Sequence, residues 1–175
     1  DNVYCVLCDD YRATMEATQY LLDTGRRDVL YLHHSKNYSG QKKLAGYRAG
    51  LSSRGLPVRE ELIHFFAEDK MSVPTVRDHI LALDTKGLSF DAVLTSEDVL
   101  SVGAAKYARV QKRNVPNSLS IIGYNNSSFC LCCEPELTSV DNKLETLCNT
   151  CVGTMLTVLG GKEAPQKTVF TAELV

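Results

Sequence analysis

The pattern of this 175-residue chain predicts an α/β fold, a three-layer αβα arrangement doubly wound around a mostly parallel sheet. Short apolar runs alternate with longer amphipathic stretches at intervals of about 30 residues, the spacing of right-handed crossover units. Val29-Leu30-Tyr31-Leu32 and Ala92-Val93-Leu94-Thr95 are nearly continuous in apolar character, as expected of strands covered on both faces. The composition, 44% hydrophobic and 23% charged with 11 Gly and 5 Pro, is that of a folded chain able to build a sizeable core. At about 150 residues per domain, one compact unit is the default.

The elements follow in order. Residues 3–8 read as a strand, and residues 12–24 as a helix with Ala17 and Leu21 inward, ended by Gly25. The strand at Val29 follows, then a helix over 40–54 with Leu44, Tyr47 and Leu51 on one face and Gly55 beyond its end. Residues 62–66 form the third strand, and Val76, Ile80 and Leu83 mark the next helix. Ala92 to Thr95 is a strand, with Ser96 placed to cap a helix reaching to about Arg113, and Pro116 blocks its continuation. Residues 119–123 are a strand and 125–136 a polar loop; 137–140 is extended and leads to a helix over 144–159. A last strand is expected over 168–175.

Charge and cysteine usage narrow the function. Nineteen basic against 21 acidic residues leave a net charge of -2, so this segment lacks the electrostatic footprint of a nucleic-acid binder. Residues 26–59 hold eight basic residues and one acid, and residues 60–98 nine acids and three basic residues, a bias that solvated helix faces explain. No apolar run approaches the roughly 18 residues that span a bilayer, and no basic start of a signal peptide is present. Seven cysteines, an odd number in a chain of this size, point to a reducing cytoplasm. Cys5-x-x-Cys8 and Cys148-x-x-Cys151 have metal-ligand spacing, but the first pair straddles a strand and the second shares a helix stripe with Leu144, Leu147, Met155 and Leu159. Both pairs are therefore expected to pack as buried residues, with no metal.

In open α/β sheets ligands bind beyond the carboxyl ends of the strands, which selects the loops after Leu32, Phe66, Thr95 and Gly123. The first, residues 33–43, is rich in donors and opens a helix, suiting an anionic or hydroxyl-rich ligand or a plain capped turn. Glu68-Asp69 and Glu97-Asp98 put acidic pairs at two strand ends, where they can accept bonds from a polyol or simply favour a helix dipole. His33-His34 has no convergent metal partner, and His64 and His79 read as strand and helix-face residues. Asp9-Asp10-Tyr11-Arg12 lacks the glycines of a nucleotide-binding turn, and no nucleophile elbow occurs, so neither a cofactor nor an enzymatic activity is expected.

The ordered motifs resemble the LacI/GalR family of bacterial transcription regulators in their effector-binding core. Asp9-Asp10-Tyr11 and Gly25-Arg26-Arg27-Asp28-Val29 look like that family's entry into its C-terminal subdomain, and Leu44-Ala45-Gly46-Tyr47 like its next helix. Asp91-Ala92-Val93-Leu94, Ser96-Glu97-Asp98, Val115-Pro116, Gly123-Tyr124-Asn125-Asn126 and Pro135-Glu136-Leu137-Thr138-Ser139-Val140 continue it in order. The resemblance implies a type I periplasmic-binding-protein-like fold without the N-terminal helix-turn-helix. Residues 9–136 plus 168–175 would make most of the C-terminal subdomain, and 1–8 and 137–167 would supply crossovers and a helix of an incomplete N-terminal one.

Carried over residue by residue, the family's effector contacts fall on Lys43, Glu97 and Asn125, with Ser39, Asp9, Glu68 and Asn142 around them. Lys43 stands where the family usually has Arg, Glu97 where it has Asn, Asn125 where it has Asp, and Glu68 where a stacking aromatic is frequent. Such a pocket suits a ligand offering donors or positive charge. The implied protein senses a sugar or similar polar metabolite, acts as a cytoplasmic homodimer, and reaches DNA only through the missing segment. Leu147, Val152 and Met155, exposed for lack of a partner subdomain, would favour dimerisation. The alternative is a sugar-binding receptor of a transport system, which shares the fold.

Overall fold

The computed structural model describes residues 3–175. Among them run β1 (Cys5–Cys8), α1 (Asp10–Asp23), β2 (Val29–His33), α2 (Tyr38–Ser53), β3 (Ile63–Phe65), α3 (Val73–Thr85) and β4 (Ala92–Thr95). The chain continues through α4 (Asp98–Val110), β5 (Ser120–Tyr124), the single turn α5 (Ser128–Leu131), β6 (Thr138–Asp141), α6 (Leu144–Leu159), β7 (Lys167–Phe170) and β8 (Glu173–Leu174). Short polar side chains start the helices: Asp9 accepts from the Arg12 N–H at 3.1 Å and Asn37 from the Gly40 N–H at 2.9 Å. Gly25, at φ +97°, takes the left-handed conformation that ends α1.

Six strands form one sheet in the order β3-β2-β4-β5-β6-β8, parallel except for β8, which runs antiparallel to β6 at the edge. Side-chain alternation along β2 shows the winding. Leu30 and Leu32 join Val76, Ile80, Leu100, Ala104 and Tyr107 of α3 and α4 on one face. Val29 and Tyr31 join Ala13, Ala17, Leu21, Tyr47 and Leu51 of α1 and α2 on the other. Each such buried Leu or Val contributes on the order of 1.5–3 kcal/mol. Helices α1 and α2 approach closely because Gly50 carries no side chain; a Cβ there would stand 2.5 Å from that of Thr18.

The remaining elements make a second, smaller unit. Strands β1 and β7 pair only with each other, in parallel, and α6 lies against β1. No residue of α6 is buried, and Val152, Met155, Leu156 and Leu159 are exposed.

Several boundaries differ from expectation. Residues 168–175, expected as one strand of the large sheet, are split: β7 goes to β1 and only β8 reaches β6. Residues 138–141, expected with the crossover, join the large sheet, Thr138 to Val140 pairing with β5. Partner choice decides both, and a local pattern does not encode it. Residues 1 and 2 of the expected 1–8 segment lie outside the described residues. Ser96 is not the cap of α4, whose first turn starts one residue later behind Glu97. The cysteines are the largest departure: Cys130 alone is buried, whereas Cys132, Cys148 and Cys151 are exposed and Cys5, Cys8 and Cys133 half-buried. Cys148 and Cys151 sit on α6, which has only the two-stranded β1 and β7 pair beside it.

Candidate functional site

The carboxyl ends of β4, β5 and β6 lie side by side, so Glu97, Asn125 and Asn142, which follow them, are brought together by parallel pairing alone. A side-chain N–H of Asn125 donates to Glu97 Oε2, and one of Asn142 donates to Asn125 Oδ1 at 2.9 Å. Asn125 and its neighbour Asn126 both take positive φ, 101° and 49°, a conformation in which Asn is enriched among non-glycine residues. His34, at the end of β2, places Nε2 3.9 Å from Glu97 Oε1 and Nδ1 3.1 Å from Ser96 Oγ. Burial pushes the Glu97 carboxyl upward against the pull of Lys43, and burial pushes His34 downward.

Lys43 belongs to the same cluster but faces inward. Its side chain is carried by the second turn of α2, only 6% of the residue is exposed, and Nζ donates to the Ser96 carbonyl at 3.1 Å. The ammonium also sits 3.6 Å above the Tyr124 ring. The Tyr124 hydroxyl in turn donates to Asp10 Oδ1 at 2.6 Å. Burial pushes the Lys43 amine down, and Asp10 and Glu97 hold it up. The pair thus fastens the end of β4 to the start of α1, where the chain enters the large sheet from β1.

Three expected residues stand apart from these contacts. Asp9 is occupied as the cap of α1. Ser39 is half-buried in the first turn of α2, and Glu68 is exposed in the short turn Glu68–Lys70 after β3. His34, Ser96, Tyr124 and Asp10 are the members that sequence reasoning did not nominate. All four border predicted strand ends, which was the available signal. Below the cluster, buried Asp98 accepts from the Ser127 N–H and from the Ser139 hydroxyl, both at 2.7 Å, and so fixes the β5 and β6 exits relative to α4. Among the described residues no group of three or more His, Cys, Asp or Glu side chains is placed to hold a metal ion.

The chain passes three times between the large sheet and the small unit: at Asp9, at Asn142-Lys143 and at Thr171-Ala172. The Lys143 ammonium, 3.3 Å from Asp141 and bonded to Glu173, ties the second crossover to the third. A polar cluster at the carboxyl edge of a doubly wound sheet, beside a triple crossover to a second unit, defines the class of two-unit ligand-binding domains. The chain belongs to the periplasmic binding protein-like domain family, whose model matches residues 18–175. Solved structures that share this fold include LacI-family regulators.

Among its relatives is an HTH-type transcriptional regulator of Lachnoclostridium phytofermentans, 42% identical over 99% of this chain and 51% of that protein. The HTH-type transcriptional regulator AscG of Escherichia coli is 26% identical over 100% of this chain and 52% of that one. The chain therefore spans about half the length of the curated relatives it matches. Solved structures share the fold: a complex of the transcriptional regulator CelR with cellobiose superposes with a TM-score of 0.87 at 24% identity, over 99% of this chain and 53% of that chain. A LacI-family regulatory protein from Chloroflexus aggregans gives 0.88 at 22% identity, over 97% of this chain and 60% of that chain. No helix of the described residues is long and apolar enough to cross a membrane.

Proposed function

We propose that the chain is the larger part of the effector-binding domain of a LacI-type bacterial transcription regulator, taking a small polar metabolite of the sugar class at the Glu97, Asn125 and Asn142 cluster. One observation carries this reading: the cluster that a ligand would bond is built into the crossovers that join the two units. Asn142 lies in a crossover itself, and Lys43 and Tyr124 reach another through Asp10. A ligand gripping both units favours one angle between them, and only such differential affinity shifts a regulatory equilibrium. The CelR complex with cellobiose supports the sugar class by likeness of fold.

In this reading the elements from α1 to β6, with β8, form one lobe, and β1, α6 and β7 part of the other. Glu97, Asn125 and Asn142 contact the ligand, Ser39, Asp9 and Glu68 line its approach, and Lys43 positions Ser96 and Glu97. The regulator is a cytoplasmic homodimer without enzymatic activity, and DNA contact lies in a helix-turn-helix outside these 175 residues. The regulator relatives favour this over a transport receptor. A thermal-shift screen of sugars, amino acids, nucleobases and polyamines tests it. A ligand is expected to raise Tm in the parent and to lose that effect in Glu97→Ala and Asn125→Ala. Equal stabilisation of all three proteins moves the pocket elsewhere.

A further inference from the structure

The hydrogen bonds of this cluster have a direction. Asn125 and Asn142 each spend a side-chain N–H inside the protein, on Glu97 and on Asn125 respectively. Asn142 Oδ1 and Ser127 Oγ are buried without any protein partner. Both residues line an open depression of about 740 Å³ between the β5 exit, the β6 exit and the first turn of α6. Glu97 Oε1 has only the distant His34 ring nitrogen, at 3.9 Å. Asn142 Oδ1 and Glu97 Oε1 are thus acceptors without a close donor, and Ser127 Oγ can accept as well.

The neighbouring cations are already committed. Lys43 points into the protein, onto the Ser96 carbonyl and the Tyr124 ring. Lys143 is held by Asp141 and Glu173, and Lys42 lies over the Tyr38 ring at 5.3 Å. The neighbouring acids differ in the same respect: Asp10 is answered by Tyr124, and Asp98 by Ser127 and Ser139. Glu97 Oε1 keeps no close donor, on a side chain that is 28% exposed. An anionic ligand would meet the free Glu97 oxygen there, and a neutral one would bring that oxygen no cation.

We infer that the ligand is a polyol bearing a protonated primary amine, an amino sugar by class, with its ammonium on Glu97 and hydroxyl donors on Asn142 and Ser127. This rests on the effector-site reading above. Bonds to charged groups exceed neutral ones by about 1 to 1.5 kcal/mol, which is roughly tenfold in affinity.

Calorimetric titration of the 175-residue chain at pH 7 with glucosamine, glucose, N-acetylglucosamine and glucuronate provides the test. Glucosamine is expected to bind about tenfold more tightly than glucose. Acetylation removes the charge and should return affinity to the level of glucose, while glucuronate should bind weakest. Glu97→Gln, with its fold checked by circular dichroism, should close the gap between glucosamine and glucose. Glucose or N-acetylglucosamine binding as well as glucosamine overturns the amine assignment and leaves the effector site standing. Failure of all four sugars, together with a flat thermal-shift screen, overturns both.

Discussion

The two units of this molecule carry similar apolar patterns and meet opposite fates. In the large unit Leu94 of β4 and Tyr107 of α4 are fully buried, enclosed between strand and helix layers. In the small unit α6 carries an apolar stripe of its own, yet Met155 is 54% and Leu159 76% exposed. Periodicity states that a helix wants a partner; it does not supply one. A two-stranded sheet is marginal alone, and the β1 and β7 pair is held in place largely by its crossovers to the larger neighbour.

The sharpest way to break this contrast is to truncate one residue in each unit. Leu94→Ala should cost about 2–5 kcal/mol, the range for a buried leucine whose surroundings collapse only in part. Met155→Ala should change stability by no more than about 0.5 kcal/mol, as for other surface substitutions. Urea unfolding followed by circular dichroism measures both. A loss at Met155 comparable to that at Leu94 would mean that α6 is covered in solution, by a second copy of the chain or another surface.

Acidification separates the units by charge. All four histidines belong to the large unit, and burial pushes every one of them below its ordinary value. His64 and His79 share a contact at 3.1 Å, between His64 Nδ1 and His79 Nε2, on β3 and α3. A histidine whose folded value is depressed binds its proton more readily when unfolded. Stability is therefore flat above about pH 6.5 and falls as pH drops below it, until the folded value is passed. Urea midpoints between pH 7.5 and 5 should decline, and His79→Gln should flatten the slope. A midpoint that rises over that interval contradicts the burial of these rings.

Much of the large unit was legible. Apolar runs located β2, β4 and β5, and the loops after them come together because parallel strands end together. What escaped is what a side chain does with its length. Lys43 was expected to offer its charge to a ligand, yet four methylenes let it fold back onto Ser96 and Tyr124. Of two adjacent acids, Asp9 caps α1 and Asp10 reaches Tyr124, and helix ends fixed to within a residue or two cannot tell them apart. The split between β7 and β8 is a choice of partner strand, which no single segment records.

The cysteines report the same contrast without disturbing either unit. Cys130 lies beneath α4, where burial first and Asp98 second push its thiol up to about 12. Little thiolate forms there near neutrality, and the thiolate is the reactive species. Cys148 and Cys151 on α6 are exposed, as is Cys132 beyond α5. Iodoacetamide at pH 8, read by peptide mass spectrometry, should modify Cys132, Cys148 and Cys151 first and Cys130 last, with no change in the circular dichroism spectrum. Protection of Cys148 and Cys151 with Cys132 still reactive would place a cover over α6 alone. That result would show that the small unit finds its missing partner in solution, whereas the large one needs none.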